Sequence, residues 1–270
     1  MASNANYNLF ISVIGKDDAS GVFGKVNSAL GDMAKVAAGV AVGGLAALAG
    51  GLALSVKEAM AAEQVQAQLN AVLKSTQGIA GITSEAANTL ADSLSKVTAF
   101  EDDTILASEN MLLTFTNIGK DIFPAATETI LDMSTAMGTD LKSSAIQLGK
   151  ALQDPIGGVG ALSRVGVNFT DAQKDMIKKM VESGDVMGAQ KLILAELKTE
   201  FGGAAKAAGQ TFSGQLTILQ NAFGNIMEEI GGAFLPMLTD LAKWVNKEIV
   251  PAIKTWAVDA MPKIIAKLKE

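Results

Sequence analysis

Apolar residues along most of this chain recur three and four positions apart, which is the spacing of one face of an α-helix. The pattern is clearest in residues 59–76 and 186–201 and from residue 213 onwards. Pro and capping residues stand where such stretches begin, and Gly stands where many of them end. The pattern therefore predicts an all-α chain, built as an array of helical hairpins that includes some long helices.

Residues 7–14 have a different spacing. Tyr7, Leu9 and Ile11 alternate loosely with residues that point to the other side, which favours a short β-strand. A single strand is unstable in isolation. We therefore expect one short N-terminal β-strand that pairs elsewhere in the chain or in another subunit.

Shifts in composition divide the chain into four regions. These are an N-terminal strand and helix, an apolar Gly/Ala-rich helix with its continuation, a core of short helices, and a set of C-terminal helices, at residues 1–35, 36–76, 77–210 and 211–270. Within them, residues 202–210 are expected to form a loop or a frayed helix end. The prolines at 236, 251 and 262 are expected to divide the last region into separate helical pieces.

Capping residues predict where several helices begin. Asp140 and either Thr83 or Ser84 stand just before apolar periodic stretches, and Thr170 has Gln173 three residues later, as in a capping box. Ser213 is the expected cap of the long C-terminal helix.

An uncharged segment of 21 residues runs from Val36 to Val56 between two lysines. As a helix it would extend about 31 Å, enough to cross the hydrocarbon core of a bilayer. Its five glycines and seven alanines leave few large side chains to favour insertion, and Gly39, Gly43 and Gly50 instead predict a smooth seam for close helix packing. Two interpretations stay open, a buried or self-associating helix and a membrane-inserting one.

Residues 148–168, LGKALQDPIGGVGALSRVGVN, contain a sharp corner around which the neighbouring helices are expected to be arranged. Asp154 can cap the helix that Pro155 begins. The glycines after it permit close backbone approach, and the only arginine of the chain stands where that helix should stop. From composition alone this is a structural corner. Its candidate residues are Asp154, Pro155, Gly157, Gly158, Arg164 and Gly166.

Charge and composition narrow the function classes. The formal net charge is −6, which argues against a dedicated nucleic-acid binder because phosphate neutralisation needs clustered Lys and Arg. The chain has no Cys and no His, so disulfides, most zinc and haem sites and the usual catalytic triads are excluded. The acidic run at residues 101–103 fits a helix N-terminus and lacks the ligand spacing of an EF-hand. No cofactor, metal or enzymatic activity is expected, and cell-wall hydrolysis is the least favoured alternative.

The phrase GKALQDPIGGVGALSRVGV at residues 149–167 resembles the signature segment of the tail tape-measure proteins of long-tailed bacteriophages and prophages. Further stretches resemble that family in the same order along the chain. They are ISVIGKDDASGVFGKV at 11–26, FEDDTILASENMLLTFTNIG at 100–119, FPAATETILDMSTAMGTDLKSSAIQLGKAL at 123–152, SGDVMGAQKLILAEL at 183–197 and GQLTILQNAFGNIMEEIGGAFLPML at 214–238.

The resemblance implies a structural virion protein that nucleates assembly of the tail tube, sets tail length and helps DNA cross the host inner membrane. Its implied partners are further copies of itself, three or six in number, the tail tube protein, tail assembly chaperones and baseplate or tail-tip proteins. It implies no specific nucleic-acid sequence. The implied locations are the tube lumen, the host cytoplasm during assembly and the inner membrane during ejection. Family members are usually longer and carry extended coiled coil, so we expect a short member or an N-terminal fragment. The alternative function is a pore-forming helical protein that acts through residues 36–56.

Overall fold

The computed structural model describes residues 43–163, 166–251 and 253–254, with side-chain surroundings given from residue 54 onwards. Within these ranges every regular element is a helix, which confirms the predicted all-α class. The predicted strand at residues 7–14 lies outside the described residues, as do Gly39 and Arg164.

The helices are mostly short and follow one another with brief connections. In chain order they are α1 (Gly43–Ser75), α2 (Ser84–Ser95), α3 (Asp102–Leu112), α4 (Phe123–Met137), α5 (Leu141–Gln153), α6 (Pro155–Ser163), α7 (Asp171–Glu182), α8 (Val186–Phe201), α9 (Ala204–Gln210) and α10 (Phe212–Trp244), and a π-helical turn, Val245–Ile249, follows α10.

The chain forms two compact units, whose boundaries fall inside the two long helices. One unit comprises Ala61–Ile226, and the other combines Met1–Met60 with Met227–Glu270. The first contains α2 to α9 together with the C-terminal part of α1 and the N-terminal part of α10.

In the Ala61–Ile226 unit, consecutive helices pack as hairpins around one apolar core. Helix α3 packs between α2 and α5, α5 packs on α4 and α6, and α8 packs on α4 and α7. The largest fully buried side chains come mainly from α3, α4, α5 and the α3–α4 connection, and they include Ile105, Leu112, Ile118, Phe123, Ile130, Leu148 and Leu152. The three- and four-residue spacing in the sequence therefore marks the helix faces that meet in this core.

Three predicted helix starts are confirmed by their capping hydrogen bonds. The Thr83 hydroxyl accepts from the Ala86 N–H at 3.1 Å, and the Asp140 carboxylate accepts from the Ser143 N–H at 2.9 Å. Thr170 and Gln173 form the predicted reciprocal capping box at the start of α7.

Three predictions about residues 202–244 are wrong. The long helix is capped by Thr211, whose hydroxyl accepts from the Gly214 N–H at 3.0 Å, rather than by Ser213, which lies within the helix. Helix α10 continues through Pro236, although an interior Pro removes one backbone hydrogen bond and costs a helix about 3 kcal/mol. Residues 202–210, expected to form a loop or a frayed helix end, instead contain the separate helix α9, whose N-terminus is capped by a residue distant in sequence.

Candidate functional site

The corner between α5 and α6 has the geometry that its sequence predicts. Helix α5 ends at Gln153 and α6 begins at Pro155. The Asp154 carboxylate accepts a hydrogen bond from the Gly157 N–H at 3.2 Å, and the Asp154 carbonyl accepts from the Gly158 N–H at 2.7 Å. One residue thus caps the new helix with both its side chain and its backbone.

Two glycines at this corner permit contacts that a larger residue would block. A Cβ at Gly158 would overlap the backbone of Ala151 and lie 2.7 Å from its carbonyl oxygen, so α6 packs directly on α5. A Cβ at Gly149 would overlap the ring of Phe115, which packs over α5. Gly166 follows α6 with a φ of +101°, in the left-handed region that favours glycine.

A buried glutamine fixes the same corner from α8. The Gln190 side-chain amide donates to the Asn117 carbonyl at 2.9 Å and to the Leu152 carbonyl at 2.8 Å. Asn117 in turn bonds to Gln153, with its backbone N–H donating to Gln153 Oε1 at 3.0 Å and its side-chain amide donating to the Gln153 carbonyl at 2.9 Å. This polar clamp joins the end of α5, the α3–α4 connection and α8, and sequence patterning gave no sign of it.

Helix α9 is held by a carboxylate on α4. Asp132 accepts from the Gly203 N–H and from the Ala205 N–H, each at 2.9 Å, where the positive end of the helix dipole favours an anion. The contact lies beside a cleft of about 550 Å³ between α4 and α8. The charged side chains around the cleft balance in sign, and they are Asp121, Glu128, Asp132, Lys191, Lys198 and Lys206. These six side chains therefore give the cleft no net formal charge.

Glu109 lies on α3 in the core of the Ala61–Ile226 unit. Its side chain is fully buried and neither carboxylate oxygen has a hydrogen-bond partner. Desolvation raises the pKa of this carboxyl from 4.5 to about 9, so it is protonated in the folded protein at neutral pH. The signal for its burial is present in the sequence, because Ile105, Leu106, Leu112 and Leu113 stand three and four positions away.

The second unit contains a close contact between α1 and α10. A Cβ at Gly231 would overlap the backbone carbonyl of Ser55 and lie 2.9 Å from the Val56 N. Ser55 is buried, and its hydroxyl donates to the Met227 sulfur at 3.8 Å. Small residues therefore do permit close helix packing in this part of the chain. The contact lies one turn beyond the predicted seam, and sequence reasoning missed Gly231 as the opposing residue.

The segment from Val36 to Val56 is described only from Gly43, where α1 begins, and Gly43 and Gly50 both lie in that helix. None of the helices described combines the length and the apolar character that a membrane span requires. The acidic residues Asp102 and Asp103 occupy the first turn of α3, as predicted. Across residues 43–163, 166–251 and 253–254, no group of three or more acidic side chains is arranged to hold a metal ion.

Comparison with protein-family models, with curated proteins and with solved structures finds no match to this chain.

Proposed function

We propose that this chain is a structural protein of a phage or prophage tail, corresponding to the N-terminal and core region of a tape-measure protein. In this role it nucleates assembly of the tail tube, contributes to the setting of tail length and assists passage of DNA across the host inner membrane. The observation that carries the proposal is the series of stretches resembling that family, which occur in one order over most of residues 11–238.

The signature segment lies at the corner between α5 and α6, and its place there supports using it to recognise the family. Residues 149–167 of that segment include Gly149 and Gly158, and both are sites where a side chain would overlap a neighbouring residue. Asp154, which lies between these two glycines in the sequence, caps helix α6. These three residues therefore have a structural reason to be present, and a chain that shares them is expected to share this corner.

The folded form also suggests which part of the tape-measure role this region has. An α-helix rises 1.5 Å per residue, so 270 residues in one extended helix would span on the order of 400 Å. The Ala61–Ile226 unit instead folds its chain back on itself in short hairpins around a common core. We assign to it the task of anchoring or starting the tail, and we place the ruler outside this unit.

Immunogold labelling of purified tails tests the proposal. Antibodies raised against residues 61–226 are expected to label one end of opened or disrupted tails from the phage or prophage that encodes the chain. Antibodies against the tail tube protein are the control, and they should label along the whole tube. Tails that assemble normally and contain none of the chain by labelling and by mass spectrometry would refute a structural role in the tail.

A further inference from the structure

The cleft between α4 and α8 has a size and a lining that fit a small ligand with an apolar body. Its volume of about 550 Å³ lies within the roughly 300 to 1,000 Å³ that is typical of small-molecule sites. Its lining includes large aliphatic side chains that are almost completely buried, and they are Leu94, Ile122, Leu131, Leu194 and Leu197. Ala125 and Ala195, which also line the cleft, are exposed and too small to cover it. An alkyl group that left water for this lining would be stabilised there by the hydrophobic effect.

Three of the six charged side chains around the cleft are already engaged. Lys206 pairs with Glu128, with 3.5 Å between Lys206 Nζ and Glu128 Oε1. Asp132 accepts the two N–H groups at the start of α9. The other three form no ion pair within the part of the chain that the structure describes, and they are Asp121, Lys191 and Lys198. The cleft therefore offers a ligand two cations and one anion, although its six formal charges cancel.

These three charges lie towards opposite ends of the cleft. Lys191 adjoins Gln190, which bonds to the α3–α4 connection, and Asp121 lies in that connection, so the two charges at this end offset each other. Lys198 lies about 10.5 Å further along α8 at 1.5 Å per residue, and its carbonyl accepts a hydrogen bond from the segment that leads into α9. The carboxylate at that end, Asp132, is already occupied by backbone N–H groups. Lys198 is therefore the cation that an acid group of a ligand would neutralise.

We propose that the cleft is a binding site for a linear apolar monocarboxylate, of the class of medium-chain fatty acids. Its carboxylate pairs with Lys198, and its alkyl chain lies on the buried leucine and isoleucine side chains and ends near Lys191 and Asp121. A second acid group at the far end would meet the negative charge of Asp121. Neither the ligand class nor its test depends on the proposed role in the tail.

The first test is isothermal titration calorimetry of the full chain with decanoate, whose extended chain is similar in length to the distance between the two lysines. Decanoate is kept below its micelle-forming concentration, and one saturable site per chain is expected. Decanol has the same chain without the charge, and its affinity should be about three to ten times lower. Acetate has the acid group without the alkyl chain, and its affinity should be at least about a hundred times lower.

The second test places the ligand in the cleft by substitution. Lys198→Gln should weaken decanoate binding about three- to tenfold and should leave decanol binding unchanged, because only the charge pair is lost. The matched control is Lys178→Gln on α7, where the lysine side chain is 60% exposed, and it should bind decanoate as the wild type does.

Ala195→Trp fills the cleft from an exposed position and should abolish binding, whereas Ala172→Trp, at an exposed position on α7, should not affect it. Decanoate binding that occurs only at micelle-forming concentration overturns the proposal. Saturable binding that is the same in wild type, Lys198→Gln and Ala195→Trp also overturns it, because the ligand would then lie outside the cleft.

Discussion

The buried carboxyl of Glu109 gives the sharpest prediction about stability. Its pKa is about 9 in the folded protein and about 4.5 in the unfolded chain, so the neutral form is retained only on folding. Below pH 4.5 the carboxyl is protonated in both the folded and the unfolded state, so its ionisation does not change the stability. As the pH rises towards 9, the unfolded chain gains an ionisation that the folded one resists, and stability falls by about 1.4 kcal/mol per pH unit. At pH 7 the loss amounts to about 3 kcal/mol.

The assay is urea unfolding of the full chain, followed by circular dichroism at pH 5, 6, 7 and 8 at one protein concentration. The chain has no His and no Cys, so few other side chains titrate in this window. The lowered pKa of Asp140, caused mainly by its hydrogen bond from the Ser143 hydroxyl, affects stability only at more acidic pH, where stability is lost as that carboxylate protonates. Wild-type stability should therefore decline steadily from pH 5 to pH 8.

Glu109→Met is the decisive variant, because Met fills a similar volume and cannot ionise. It should be more stable than the wild type at pH 8 and should remove most of the pH dependence between pH 5 and 8. Glu63→Met, at an exposed position on α1, is the matched control and should leave the slope unchanged. Equal slopes in wild type and Glu109→Met would refute the inference that this carboxyl is buried and neutral.

Four further substitutions test the packing of the corner and the capping of α9. Gly158→Ala should destabilise the protein by about 1 to 3 kcal/mol, because the added methyl group overlaps α5. Gly160→Ala lies in the same helix with open space around it and should stabilise the protein by up to about 1 kcal/mol. Chemical unfolding measures both changes. Gln190→Met should cost about 2 to 3 kcal/mol because two carbonyl acceptors lose their donor, and hydrogen exchange near residue 117 should accelerate. Asp132→Ala should cost about 1 kcal/mol and increase exchange of the α9 amides, and unchanged exchange there would contradict the capping role.

Local signals in the sequence predicted the helix class and many helix starts. Thr83, Asp140 and Thr170 act within one turn of their own helices, and such short-range capping can be recognised from a few neighbouring residues. The start of α6 at Asp154 and Pro155 is of the same kind. At these four starts the local pattern sufficed, whereas for α10 it placed the cap two residues late, at Ser213 in place of Thr211.

Long-range interactions account for what the sequence did not reveal. Helix α9 depends on Asp132, which lies about 70 positions earlier, and the corner depends on Gln190, which bonds to carbonyls 38 and 73 positions away. Gly231 stands in an ordinary apolar run and gives no sign that Ser55 lies against it. The apolar repeat of α10 can be read from the sequence, but only the structure places part of it on the exposed side, at Phe212, Leu216, Leu219, Phe223 and Ile226.

The decisive measurement for the proposed role in tail assembly is the number and length of tails in particles that lack this gene product. Electron microscopy would count the tails and measure their lengths in two preparations. One comes from a phage or prophage in which the gene for this chain is deleted, and the other from the same deletion complemented with the full chain. Without the chain, tails are expected to be absent or uncontrolled in length, and the full chain is expected to restore them. Tails of normal number and length in the deletion would contradict a structural role in tail assembly.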